Sequence, residues 1–230
     1  EEKNFKTYLS ISPQKFGIYL FDIKNFYYLY KQEVKIENNF TSSDLKTLSK
    51  FLDDNVFKIE KLLGQFLKNI CLIIKTSEIK EIKIGIKKKN YQEIINKNFL
   101  DTLLVDAKDL FKESYHNQQI THMIVDRYLV DGVSHTSFKN DFRGNDFCVE
   151  LQFNFISSNF VLEINKILEK YQIKIIKYLD NEYMTRYFKD HDFELCEMAY
   201  KIENGCNDNE VRLIPKNTKK KGFFEKFFQL

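Results

Sequence analysis

The run Ile70-Cys71-Leu72-Ile73-Ile74 is apolar at every position, as expected of a strand buried on both faces. Such a strand needs cover above and below it. Ahead of it, "TYLSI", "KFGIYLFD" and "FYYLYKQEVKI" are rich in aromatic and β-branched residues and are separated by the short turns "SPQ" and "IKN", which predicts an antiparallel meander. Between the meander and the apolar run, residues 41–69 open with a capping-box pattern from Thr41 to Asp44. They then place Leu45, Leu48, Leu52, Ile59, Leu62 and Phe66 at helical spacing, the signature of a long amphipathic helix.

A second unit is expected over residues 78–180. "EIKIGIKKK" alternates Ile82, Ile84 and Ile86 with polar neighbours, and residues 91–115 carry Ile94, Ile95, Phe99, Leu103 and Leu110 on a helical stripe. "ITHMIVDRYLVDG", "VSHTSF" and "DFCVELQFNFIS" read as strands, the last with Phe147, Val149, Leu151, Phe153 and Phe155 on one face. A helix over 158–171, the strand "IKIIKYL", a helix over 181–203 and a short strand "EVRLI" complete the body. At 230 residues, 43% hydrophobic and 30% charged, the chain can bury one large core or two small ones.

Several chemistries are excluded by spacing. The seven glycines never fall within ten positions of one another, so neither a Walker A loop nor a Gly-x-Gly-x-x-Gly turn can form, both of which need clustered glycines to let backbone N–H groups approach phosphate. There is no His-Glu-x-x-His, no Gly-x-Ser-x-Gly and no metal-spaced Cys/His set. His122, inside the apolar "ITHMIV", reads as a partly buried strand histidine, and the sequence Asp190-His191-Asp192 as an exposed segment whose side chains diverge. Cys71, Cys148, Cys196 and Cys206 lie far apart without a Cys-x-x-Cys pair, and three of them read as small core residues of a reducing compartment. With no secretory signal and no run long enough to span a bilayer, a cytoplasmic location is expected.

The end of the chain carries the positive signal. Five lysines and one acid fall between Pro215 and Leu230, so that segment is strongly basic and the rest is close to neutral. A near-neutral body with four arginines argues against a broad nucleic-acid groove. Residues 215–221, ending in Lys219, Lys220 and Lys221, form a polar linker. Residues 222–230 written as a helix put Phe223, Phe227 and Leu230 on one stripe beside Phe224 and Phe228, with Lys226 on the other side. A peptide this short is not helical alone in water. Four phenylalanines at about 1.5–3 kcal/mol each for full burial, with about 1 kcal/mol per lysine near anionic lipid, favour a reversible membrane contact. The competing expectation is that these phenylalanines seal the protein's own core, with the basic tail of a soluble binding module contacting nucleic acid.

In the order of its parts the sequence resembles FtsA, the actin-like protein that tethers the bacterial division ring to the membrane. "ITHMIVDRYLVDG" supplies Ile124, Tyr128, Asp131 and Gly132 of a family stretch. "FRGNDFCVELQF" supplies Gly144 and the alternating strand, and "NFVLEINKILEKYQIKIIKYL" resembles the helix and strand that follow. "LSISPQKFGIYL" has the frame of the family's nucleotide turn, with Ser10 at its aspartate and Ser12 at its glycine. Both nucleotide-handling features are therefore replaced, and no second phosphate-binding turn is present.

The resemblance implies an α+β fold: an actin-like (RNase H-like) subdomain from residues 1–77 and 181–214, an inserted SHS2-like subdomain from 78–180, and an amphipathic membrane-targeting helix at 222–230. It implies a non-enzymatic, cofactor-free scaffold at the inner face of the cytoplasmic membrane, with anionic lipid, division proteins or copies of itself as partners. A divergent ATPase is the alternative it leaves.

Overall fold

The computed structural model describes residues 4–36 and 44–212. The meander is present as β1 (Phe5–Ser12), β2 (Lys15–Asp22) and β3 (Tyr27–Lys35), followed by α1 (Asp44–Leu63) and β4 (Asn69–Ile74). The chain then leaves for β5 (Lys80–Lys89), β6 (Ile94–Ile95), α2 (Lys97–Ser114), β7 (Gln118–Val130), β8 (Val133–His135), β9 (Phe142–Arg143) and β10 (Asp146–Ser157). It returns through α3 (Ser158–Glu169), β11 (Lys174–Asp180), α4 (Asn181–Tyr187) and α5 (Leu195–Glu203).

Two main sheets result. The first has the order β11-β4-β1-β2-β3, in which β1, β2 and β3 pair antiparallel while β4 runs parallel to both β1 and β11. As the apolar run predicts, β4 is covered on both faces. Ile70, Leu72 and Ile74 join the core beneath α1 and α3, with Leu48, Leu52, Ile59, Ile164 and Leu168. Cys71 and Ile73 face the other way, into a core with Tyr8, Tyr19, Leu179, Met184, Cys196 and Ala199 that α4 and α5 close. The second sheet has the order β5-β10-β7-β8, and α2 covers one face of it. There Phe111 stacks on Phe153 at 4.9 Å and meets Phe155 edge-on at 5.2 Å.

Four expectations are corrected. Residues 158–180, assigned by sequence to the inserted unit, belong to the first: β11 pairs with β4, and Val161, Ile164, Ile167, Leu168 and Ile173 fill the core under α1. A parallel pair needs a crossover connection, and α3 is that crossover, with the insert opening before it. The helix expected over 91–115 begins only at Lys97, because Tyr91 and Gln92 take positive φ values of 52° and 63° and Ile94–Ile95 pair with β9. Asn96 caps it by accepting from Phe99 N–H at 3.0 Å. The helix expected over 181–203 is two helices, since Phe188 turns inward and packs edge-on against Phe193 at 5.3 Å. Of the strand expected at "EVRLI", Glu210 makes a single bridge to Ile124. Leu213 and Ile214 lie outside the described residues, as do Thr41 of the capping box and the whole of 213–230.

The stacked Phe111 ring gives a direct check on the second core. Phe111→Ala is expected to cost about 3–5 kcal/mol in chemical denaturation, while Leu110→Ala on the exposed side of α2 stays within about 0.5 kcal/mol.

Candidate functional site

Where the two sheets meet, the structure assembles a buried polar cluster from four distant parts of the chain. His122 of β7 is 1% exposed, Asn154 of β10 0% and Asp180 at the end of β11 2%. The Asp180 backbone N–H donates to His122 Nε2 at 2.9 Å, so Nε2 is unprotonated, and the Nδ1–H donates to Glu210 Oε1 at 2.8 Å. The imidazole is neutral in this geometry and has both nitrogens engaged. Glu210 Oε2 accepts from the Tyr183 hydroxyl at 2.9 Å, and that hydroxyl accepts from Asn207 Nδ2 at 2.8 Å. Asp180 Oδ2 accepts from Asn154 Nδ2 at 2.9 Å, while its Oδ1 caps α4 by accepting from Glu182 N–H and Tyr183 N–H at 2.8 and 3.3 Å.

The backbone reinforces this junction. Val125 N–H donates to Asn209 O and Val211 N–H to Met123 O, each at 2.8 Å, which lays residues 209–211 along β7. An ion pair joins Arg186 of α4 to Glu81 of β5 at the rim. Burial, with the Glu210 carboxylate beside it, pushes the Tyr183 hydroxyl well above the ordinary tyrosine range, so it serves as a neutral donor. None of these side chains lines the surface clefts beside Phe66, Asp146 or Lys170. A histidine and carboxylates that satisfy one another's hydrogen bonds in a buried site join the two sheets.

The positions singled out by sequence fall in three places. Ser10 is buried in β1, its backbone paired with Gly17 and Ile73. Ser12 spends its hydroxyl on Lys15 O at 2.9 Å, closing a two-residue hairpin over Pro13 and Gln14. Tyr128, Asp131, Gly132 and Gly144 come together instead at the far end of the inserted sheet. Asp131 and Gly132, with φ of 47° and 84°, are the two central residues of the β7–β8 hairpin, as a type I′ turn requires. Asp131 Oδ1 accepts from Asp146 N–H at 2.8 Å. A Cβ on Gly144 would stand 2.6 Å from Val130 Cγ1, so that position needs glycine for close approach. Tyr128 is buried over Phe147. The third group, Lys219, Lys220, Lys221, Phe223, Phe224, Lys226, Phe227, Phe228 and Leu230, lies outside the described residues.

Of the cysteines, Cys71 and Cys196 are buried, Cys148 is half-buried and Cys206 is exposed, so two rather than three are core residues. Burial raises all four thiols. Among the described residues no group of three His, Cys, Asp or Glu side chains is arranged to hold a metal, and His191 stacks on Phe193 at 4.9 Å. His122 is more deeply buried than its sequence context suggests. Asn154, a polar residue within Phe153–Ile156, is the one signal in the sequence that marks the cluster; Glu210 has none.

The face of the inserted sheet away from α2 is open and charged. Lys83 pairs with Asp126 at 2.9 Å, Arg127 with Glu150 at 2.6 Å, and Asp146 sits between Lys87 and Lys89 at 3.2 and 3.0 Å. These two ammonium groups hold the Asp146 carboxyl below the usual range. A cleft of about 810 Å³ runs beside it, lined by Lys87, Lys89, Tyr91, Leu129, Asp131 and Cys148 among others. β5, ten residues long, is the outer strand; its lysines guard the free edge against uncontrolled pairing.

The chain is similar in fold to a chain of a solved complex, the PilM–PilN complex of type IV pilus biogenesis, with TM-score 0.50 and 7% identity over 79% of this chain and 49% of that one. This likeness is one of fold alone. It does not single out FtsA. The chain spans about half the length of the structure it matches. Two others align at lower scores from which nothing is argued. One is the cytoplasmic domain of EpsL, an inner-membrane component of the Vibrio cholerae type II secretion system, with TM-score 0.35 and 9% identity over 78% of this chain and 56% of that one. The other is a Bacteroides thetaiotaomicron VPI-5482 protein with an actin-like ATPase fold, with TM-score 0.32 and 13% identity over 82% and 57%. No protein-family model matches the sequence, and no curated protein matches it significantly. No helix among the described residues is long and apolar enough to cross a membrane.

Glu210→Ala leaves His122 Nδ1–H and the Tyr183 hydroxyl without their acceptor in a buried site. It is expected to lower stability by about 3 kcal/mol, read as a lower denaturation midpoint; Glu210→Gln, which keeps one acceptor oxygen, should lose clearly less.

Proposed function

We propose that the chain is a non-enzymatic, actin-like scaffold that works at a membrane surface and holds a protein partner. The observation that carries this reading is the fold likeness to the PilM–PilN complex, in which the protein of the shared fold is found with a partner protein. The inserted sheet fits the same role, since its open face presents fixed charges and a long free edge, both suited to protein contact. Its partners are assembly proteins of the membrane or further copies of this chain. Cell division, from the resemblance to FtsA, and pilus assembly, from the fold likeness, are two settings for one kind of scaffold.

The membrane contact is assigned to residues 222–230 and the lysines before them, on the cytoplasmic side. Co-sedimentation with vesicles of phosphatidylcholine and phosphatidylglycerol tests it. Deleting 222–230 should weaken binding at least about tenfold, the loss that follows from removing even half the burial of one phenylalanine and one lysine contact. Undiminished binding would remove the tail from the reading.

The absence of catalysis is tested separately. By the resemblance to FtsA, Ser10 and Ser12 fall where a nucleotide turn would have an aspartate and a glycine, and the Ser12 hydroxyl is occupied by Lys15 O. Isothermal titration with Mg-ATP should therefore give no heat of binding at micromolar nucleotide; a saturable isotherm would favour the ATPase alternative.

A further inference from the structure

The first sheet has two ends, and the inserted sheet occupies only one of them. β4 leaves for the insert at Ile74, β10 returns from it at Ser157, and Asp180 meets His122 and Asn154 at the end of β11, all at the C-terminal ends of the parallel strands. At the opposite end, α1 stops at Leu63 and Gly64 takes φ +65°, a C-terminal glycine cap. The loop that follows is built rather than slack. Glu60 Oε1 accepts from Leu67 N–H at 2.9 Å, and Leu67 is buried in the core under α1.

Leu67 taking the core position pushes its neighbour outward: Phe66 is 78% exposed. It forms a ridge between two clefts. One holds Phe5, Lys6 and Ile176, the last 58% exposed. The other holds Lys170, Tyr171 and Lys174, and Lys68 lines both. Lys68 and Lys174 are neighbours through a 2.9 Å bond from Lys174 N–H to Lys68 O. Among the described residues, Glu60 is the only carboxylate lining either cleft.

An exposed phenylalanine on a fixed loop, ringed by lysines with little opposing charge, has the chemistry of an anionic lipid surface: the ring enters the headgroup boundary and the ammonium groups meet phosphate. Lys6 is ion-paired with Glu203 at the end of α5, so the charge offered to lipid comes from Lys68, Lys170 and Lys174.

We propose that the Phe66 ridge, with Lys68, Lys170 and Lys174, is a second anionic-lipid contact, made by the body itself. It turns the strand N-termini toward the membrane and the inserted sheet away from it. The inference rests on the membrane reading above and extends it from tethering to orientation.

The chain contains no tryptophan, so Phe66→Trp in the full chain introduces a single reporter. Phosphatidylcholine–phosphatidylglycerol vesicles should shift its emission to the blue, and phosphatidylcholine alone should not. Lys68→Glu with Lys174→Glu in the same background should abolish the shift and weaken co-sedimentation at least about tenfold. An unshifted spectrum from protein that does co-sediment overturns the ridge and leaves the tail standing. A shift that persists after deletion of 222–230, with sedimentation intact, supports the ridge and removes the tail. A blue shift that depends on protein concentration without vesicles would assign the ridge to a second copy of the chain, and overturn the lipid contact.

Discussion

The architecture depends on β4 having no polar face. A strand that is apolar at Ile70, Leu72 and Ile74 on one side and at Cys71 and Ile73 on the other can exist only between two layers. The meander with α1 supplies one flank and one layer. The second flank and the rest of both layers come from α3, β11, α4 and α5, which the chain delivers only after the whole insert has been traversed. The insert must therefore begin and end at the same edge of the first sheet, which fixes it at the C-terminal ends of the parallel strands. In open sheets of this kind that is where small ligands bind; here His122, Asn154 and Glu210 fill the space beside Asp180.

That placement gives the molecule two unlike ends. One presents a charged open sheet and a long edge, and the other a fixed phenylalanine among lysines. An adaptor between a surface and a partner needs such polarity, and it needs the two ends to keep a constant relation. The junction provides this through hydrogen bonds among buried groups, where each is stronger than it would be in water and an unpaired group would be costly.

Much of this was legible in the sequence because it is local. The meander, α1, the double-sided strand and the alternation of Phe147 to Phe155 all follow from spacing within a few residues. The Asp131-Gly132 pair also announces its hairpin. What escaped was non-local. Residues 158–180 carry nothing that says which sheet they rejoin; their apolar positions would suit either core, and the pairing of β11 with β4 decides it. The junction residues come from positions 122, 154, 180, 183, 207 and 210, so no window contains them. Phe66 read as the last member of a helical stripe, but Gly64 ends the helix first and the stripe's final position faces outward.

Asp180 divides its carboxylate between the two halves of the molecule. One oxygen starts α4, which belongs to the first sheet, and the other receives Asn154 from the second, while its own backbone N–H goes to His122. If the insert opens, Asp180 loses a donor and an acceptor together, and the first turn of α4 is left on a weakened cap. The two sheets, though each has its own core, are thereby tied into one cooperative unit, and loosening of the insert spreads into α4 and the core behind it.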